Sequence, residues 1–164
     1  MPTACRCGGD TVPENSIRNA HSTIQTTVGK SRARSGSLNP QQSSCSVTGL
    51  CWLDTNTLAS LGDSDGKVKL WDLRKSYSLY RGDPVAKAEL VHPATSSTRG
   101  FTSLSCSPAS PSYIYVSCMD SCIYQYDVVN LFQQPTAVFT GADIKNFFIN
   151  HSISPCGRLA QFYK

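Results

Sequence analysis

Eight cysteines and three histidines are the residues of this 164-residue sequence best suited to bind a metal ion. Two cysteine pairs are closely spaced, Cys5 with Cys7 and Cys118 with Cys122. A structural zinc site needs two such pairs on ordered turns, whereas here the second pair flanks a predicted turn and the other cysteines are scattered. We therefore interpret the cysteines as small buried apolar residues, and we predict no metal site and no cofactor.

The sequence does not indicate catalysis. His21, His92 and His151 lie far apart, and no serine or cysteine nucleophile elbow lies near any of them. The sequence also has no phosphate-binding loop of the G-x-x-x-x-G-K-[ST] or G-x-G-x-x-G type. We therefore predict that the chain has no catalytic residues and is not an enzyme.

A basic segment lies near the N-terminus of a chain whose net charge is only +4. Residues 1–44 are polar and show no apolar periodicity, so they are predicted to form a largely irregular loop or tail. Within them, Lys30, Arg32 and Arg34 could form a basic arm that contacts nucleic acid or an acidic partner. Because no aromatic residues alternate with these charges to stack on bases, direct nucleic-acid binding is not expected.

Neither a signal peptide nor a membrane span is indicated. The first ten residues contain no apolar core, and nowhere do eighteen apolar residues follow one another. We therefore expect an intracellular protein that is not bound to membranes and whose cysteines are reduced.

From residue 45 onward the sequence predicts short antiparallel strands separated by turns. Asn56 and the pair Asp65-Gly66 supply turn residues, and about ten residues separate one turn from the next. The predicted strands are residues 47–52, 57–61, 67–72, 85–91, 101–106, 113–117, 122–127, 136–140 and 159–163. The predicted fold class is all-β.

Similar residues at a constant offset of 55 indicate that this strand pattern is repeated. The matching pairs are Asp65 with Asp120, Val68 with Ile123, Trp71 with Tyr126, and Asp72 with Asp127. The predicted units are residues 45–95, a degenerate second copy at 96–141, and the start of a third copy at 142–164.

A four-stranded unit whose third strand ends in Trp-Asp resembles a blade of the WD-repeat β-propeller family, and the run DGKVKLWD at residues 65–72 carries the match. The resemblance implies that a buried polar network holds each blade together. Its anchors would be Asp65 and Trp71 in the first copy, and Asp120 and Tyr126 in the second. These four residues are therefore interpreted as structural.

The Gly-His pair of this family is not found where it is expected, because Gly141-Ala142 and Leu90-Val91-His92 stand in the two positions. We therefore expect the polar network to lack its histidine. Two blades and part of a third cannot close a ring of the four to eight blades that propellers use. The chain is accordingly expected to be a middle fragment of a longer protein, or to have its strand edges covered by another chain.

The strand end Trp71-Asp72-Leu73-Arg74 resembles the W-D-x-R motif of WD-repeat proteins that serve as substrate receptors of cullin-4 RING ubiquitin ligases. The wider sequence, including SSTRGFTSL, IYQYDVVNL and AVFTG, is similar to the denticleless family of these receptors. The resemblance implies that Trp71, Asp72 and Arg74 contact the DDB-type adaptor of the ligase.

The same resemblance implies a nuclear protein that recruits substrates for ubiquitination while they are bound to the sliding clamp on replicating DNA. No residue is assigned to substrate binding. One alternative is a general WD-repeat scaffold of another nuclear complex. A simpler interpretation of Arg74 and Lys75 is that they begin a solvated turn after the strand.

Overall fold

A computed structural model of the chain describes residues 16–24, 42–77, 84–93, 100–107, 110–141, 143–144, 150–154 and 160–163. Within these ranges the regular structure is β and no α-helix occurs, which confirms the all-β prediction. The strands are β1 (Ser22–Ile24), β2 (Gln42–Ser44), β3 (Val47–Trp52), β4 (Thr57–Gly62), β5 (Lys67–Asp72), β6 (Ala88–Val91), β7 (Phe101–Cys106), β8 (Tyr113–Cys118), β9 (Ile123–Asp127), β10 (Ala137–Phe139), β11 (Asn150–Ile153) and β12 (Ala160–Tyr163). In the described part of the chain, no helix has the length and apolar character needed to cross a membrane.

Two four-stranded antiparallel sheets form the body of the structure, and both have the form of WD-repeat blades. Their strand orders are β3-β4-β5-β6 and β7-β8-β9-β10, so strands that follow one another in the chain are neighbours in each sheet. Each first strand carries a register shift at the same place, between Val47 and Gly49 in one sheet and between Phe101 and Ser103 in the other. The two sheets therefore repeat one another in detail, as the sequence offset predicts.

Two smaller antiparallel sheets flank the blades, β1 with β2 and β11 with β12. The first of these adds a short hairpin inside residues 1–44, which were predicted to be largely irregular. Lys30, Arg32 and Arg34 lie outside the described residues. In the described ranges the four sheets do not close into a ring.

Strand β5 shows how residue alternation builds a blade. Val68 and Leu70 point to one face and are buried, at 0% and 1% exposure. Lys67 and Lys69 point to the opposite face, where their ammonium groups lie 2.6 and 3.8 Å from the carboxylate of Glu89 on β6. Because successive side chains of a strand alternate between faces, one face of β5 serves the core, and the other carries the two lysines and, near its end, the buried Trp71.

The core lies between the facing sides of the two blades. It is formed by the buried residues Ala59, Leu61, Val68, Leu70 and Leu90 of the first sheet and Phe101, Ile114, Val116, Cys118, Tyr124 and Tyr126 of the second. On the other face of the first sheet, Leu50 and Trp52 of β3 are each 63% exposed. Leu104, which stands in the second sheet where Leu50 stands in the first, packs against the core instead.

A disulfide joins Cys51 on β3 to Cys106 on β7. These inner strands of neighbouring blades lie side by side, and the Thr48 hydroxyl donates to the Phe101 carbonyl oxygen at 3.3 Å. The proximity brings the two cysteine Cα atoms to 6.7 Å although 55 residues separate them. The expectation of reduced cysteines is therefore wrong for this pair, whereas Cys45, Cys118 and Cys122 are not part of a disulfide.

Candidate functional site

The end of β5 carries an exposed arginine held by a carboxylate, and we call Asp72 and Arg74 the strand-end pair. Nε and Nη2 of Arg74 donate to the two oxygens of Asp72 at 2.9 and 2.7 Å, and the Arg74 backbone N–H donates to Oδ1 at 3.1 Å. The Arg74 side chain is nonetheless 69% exposed. Because a guanidinium has five N–H donors, those not used by Asp72 remain at the surface.

The two charges of the strand-end pair stabilise one another. The Arg74 guanidinium, through its hydrogen bonds, holds the pKa of the Asp72 carboxyl well below its usual range. The same contact raises the pKa of Arg74. Both groups are therefore charged across the physiological pH range, and the arginine is presented in a fixed orientation.

Neighbouring groups fix the position of this strand end. The Leu73 N–H donates to the Asn56 carbonyl oxygen at 2.8 Å, and the Tyr77 hydroxyl accepts from the Asp72 N–H at 3.1 Å. The Tyr77 ring also meets Trp71 edge to face, with 5.4 Å between ring centroids. Trp71 itself is fully buried, so of the three residues predicted to contact an adaptor it is the one that faces the interior.

A buried chain of hydrogen bonds crosses the polar face of the first sheet, and we call its members, His21, Ser60, Asp65 and Trp71, the first network. The Trp71 indole N–H donates to Ser60 Oγ at 2.8 Å, and Ser60 Oγ lies 2.8 Å from His21 Nε2. His21 Nδ1 lies 2.6 Å from Asp65 Oδ2. Since the indole can only donate, the serine proton goes to Nε2, and His21 donates from Nδ1 to the carboxylate.

The expectation that this network lacks a histidine is therefore wrong. His21 fills that role and is 1% exposed. It precedes β3 by a long insertion that contains the β1–β2 hairpin, and its carbonyl oxygen accepts the Cys45 N–H at 3.1 Å, where the insertion ends. Its role is not apparent from the sequence, because the insertion separates His21 from the position immediately before the blade.

In the second sheet the equivalent network is altered, and we call His92, Asp120 and Tyr124 the second network. His92 Nε2 lies 3.1 Å from Asp120 Oδ2, and the Tyr124 hydroxyl donates to the same oxygen. Burial alone would raise the pKa of Asp120, but hydrogen bonds from Tyr124 and from the Cys122 N–H outweigh it and lower the pKa. Tyr126 is fully buried and donates instead to the Val91 carbonyl oxygen at 3.0 Å.

One position differs sharply between the two networks. Strand pairing places Gly62 opposite Val47 in the first sheet and Cys118 opposite Phe101 in the second, so the two residues are equivalent. A Cβ atom on Gly62 would overlap Asp65 Oδ1 and lie 2.5 Å from His21 Nδ1. The first network therefore requires glycine there, whereas the second has a buried thiol, and burial raises the pKa of Cys118 to about 12.

His151 on β11 links the third sheet to the second. Its Nε2 lies 2.8 Å from Ser105 Oγ, and its Nδ1 lies 3.1 Å from Ser117 Oγ. The ring is 3% exposed. Burial lowers the pKa of His151 to about 4, so the ring is neutral at physiological pH.

Thus each of the three histidines is a buried member of a polar cluster. The predicted anchors Asp65 and Trp71 lie in one network through Ser60 and His21. Asp120 is partly buried and Tyr126 is fully buried, but they do not share a network. Asp120 lies against His92, whereas Tyr126 donates to the Val91 carbonyl oxygen.

The sequence has relatives among proteins named denticleless. It is 37% identical over 129 residues to the protein lethal(2)denticleless of Drosophila melanogaster, a match that covers 79% of this chain and 17% of that protein. It is 36% identical over 146 residues to the denticleless protein homologue of Mus musculus, covering 86% of this chain and 20% of that protein. Identity to the homologue of Gallus gallus is 40% over 111 residues, 67% of this chain and 15% of that protein.

The chain therefore spans about a fifth of the length of the curated relatives it matches. No protein-family model matches the sequence.

Proposed function

The chain is denticleless-like over most of its length, and on that premise we propose that it is a recognition subunit of a cullin-4 RING ubiquitin ligase and not an enzyme. In this role it binds the DDB-type adaptor in the nucleus. It thereby brings proteins that are bound to the DNA sliding clamp to the ligase, which marks them for degradation during replication and the cell cycle. The observation that carries the proposal is the exposed Arg74, held by Asp72 in W-D-x-R order.

Asp72 prepares Arg74 for a partner. The paired hydrogen bonds hold the guanidinium plane before binding, so less side-chain entropy is lost when a partner docks. The outer edge of the guanidinium is then offered to carboxylate or carbonyl oxygens of the adaptor. Trp71 contributes by its contact with Tyr77, which positions the strand end from inside the blade.

The second blade does not offer an arginine at the equivalent place. There the Asp127 carboxylate accepts from the Asn130 side-chain amide at 2.6 Å and from two backbone N–H groups. Val129, which is 66% exposed, stands where Arg74 stands in the first blade. We therefore propose that, of the two strand ends described, the adaptor binds the first.

The test is the variant Arg74→Ala in the protein expressed in cells, with the adaptor that co-purifies measured quantitatively. We expect recovery of the adaptor to fall by about tenfold, because arginine pairs with oxygen acceptors are frequent hot spots of interfaces. The thermal unfolding temperature should be unchanged, because exposed ion pairs contribute little to stability. Arg74→Lys should behave like the alanine variant, since an ammonium cannot reproduce the paired geometry.

Lys75→Ala is the matched control, because it removes an exposed basic residue next to Arg74. The proposal is contradicted by an Arg74→Ala protein that recovers as much adaptor as the wild type. Recovery of a different nuclear complex without any cullin-4 adaptor would instead favour the general scaffold.

A further inference from the structure

We propose that His92, Cys118 and Asp120 form a binding site for a divalent cation of the zinc class. We call these three residues the cation site. Their ligand atoms all lie within 4.8 Å of one another. His92 and Cys118 are buried, at 7% and 0% exposure, whereas Asp120 is on the turn between β8 and β9 and is partly exposed.

The donor atoms are of the kinds that zinc selects, since imidazole nitrogen, thiolate sulfur and carboxylate oxygen are its usual protein ligands. Ligand atoms of a filled tetrahedral site lie about 3.5 Å apart, because the metal–ligand distances are about 2.0–2.3 Å. His92 Nε2 and Asp120 Oδ2 already lie at 3.1 Å. Binding would therefore require the thiolate to move inward by on the order of 1 Å and would displace the hydrogen bond between His92 and Asp120.

The turn between β8 and β9 holds two of the ligands in place. The Cys118 N–H donates to the Cys122 carbonyl oxygen at 3.0 Å, and the Cys122 N–H donates to Asp120 Oδ1 at 3.0 Å. The other carboxylate oxygen, Oδ2, faces His92 and Tyr124. Three protein ligands with an open fourth position are the arrangement of zinc sites that also bind water or a substrate.

The comparison of the two blades supports a cation site independently of these distances. In the first network, Ser60 and Asp65 bind the two nitrogens of His21, and Gly62 has no side chain that could bind a metal, because even a Cβ atom there would overlap Asp65 and His21. In the second sheet the register puts Val116 in place of Ser60 and Cys118 in place of Gly62. Both changes act on the same pocket: one removes the hydroxyl that bound the histidine, and the other adds a soft metal ligand.

The test is a titration of the reduced full chain with Co²⁺, followed by absorption spectroscopy. Tetrahedral cobalt bound to thiolate gives a charge-transfer band and intense visible bands, so we expect these bands to saturate at one Co²⁺ per chain and to disappear when Zn²⁺ is added. The key variant is Cys118→Gly, which copies the glycine that the first blade has at this position. It should lose the bands or bind Co²⁺ at least tenfold more weakly.

Cys45→Ser is the matched control, because it removes a half-buried thiol that lies elsewhere in the chain and outside the disulfide, and it should leave the titration unchanged. Circular dichroism of each sample shows whether the fold is kept. If Cys118→Gly does not fold, Cys118→Ser takes its place and should weaken Co²⁺ binding while the fold is retained. Absence of the bands in the wild type overturns the proposal, as do bands that persist in the folded variant or are lost only in Cys5→Ser and Cys7→Ser.

Discussion

Replacing His21 by alanine should lower the free energy of unfolding by about 3 kcal/mol, because it takes a hydrogen-bond partner from a buried carboxylate and from a buried hydroxyl. The Asp65 carboxylate, whose side chain is 3% exposed, would lose its closest partner. The Ser60 hydroxyl would lose the acceptor of its proton while it still accepts from Trp71. Urea unfolding of the full chain, followed by far-ultraviolet circular dichroism, measures the loss.

A double-mutant cycle separates this network effect from the cavity left by the imidazole. In the His21→Ala background, Asp65→Ala should cost much less than it does in the wild type, because it removes a carboxylate whose Oδ2 atom has already lost its histidine partner. Purely additive effects of the two substitutions would mean that the residues are not coupled. A loss below about 1 kcal/mol for His21→Ala, the net worth of an ordinary hydrogen bond, would rule out a stabilising network.

The strands were predictable because their signals are local. Alternating side chains in residues 67–72 and the turn residues Asp65-Gly66 lie next to one another in the sequence, and the structure begins and ends β5 at the predicted residues. Gly66 has a φ of 62°, and Ser121 repeats this left-handed conformation at 67° in the second blade. The left-handed turn residue is therefore repeated in the second blade, although Tyr126 stands there in place of Trp71.

The histidines were not predictable because their partners are distant. His21 binds Asp65 across 44 residues, and His151 binds Ser105 across 46. Such contacts depend on how the blades pack and on the length of the insertion after His21. Neither produces a fixed spacing between the partners that could be recognised in a single sequence. The Cys51–Cys106 pair was missed for the same reason, since only the side-by-side packing of β3 and β7 brings the two sulfurs together.

Trp71 and Arg74 lie at the same strand end, but they are expected to have different roles. The indole is buried and hydrogen-bonded to Ser60, so changes to it are expected to act on the stability of the blade. The guanidinium is exposed and is held by Asp72, so changes to it are expected to act on partners. Measuring unfolding and adaptor recovery on the same set of variants therefore separates a folding defect from a docking defect.

Acidification should destabilise the protein between about pH 6.5 and 4 through His151. The ring has an ordinary pKa of 6.5, and burial lowers it to about 4 in the folded chain. Below pH 6.5 the unfolded chain therefore takes up a proton that the folded chain does not, and stability falls as the pH falls. Integrated over this window the loss is about 3 kcal/mol, because one pKa unit corresponds to about 1.4 kcal/mol.

Urea unfolding of the full chain at a series of pH values measures this slope, and His151→Gln is the matched variant. A glutamine can still donate to one serine and accept from the other, but it does not titrate, so the variant should lose less stability over the same window. The carboxylates whose pKa is lowered, such as Asp120 and Asp127, act at lower pH, because their contribution is lost only as the pH falls below their ordinary value of 3.8. An equal slope in wild type and variant would show that His151 is not the group that takes up the proton.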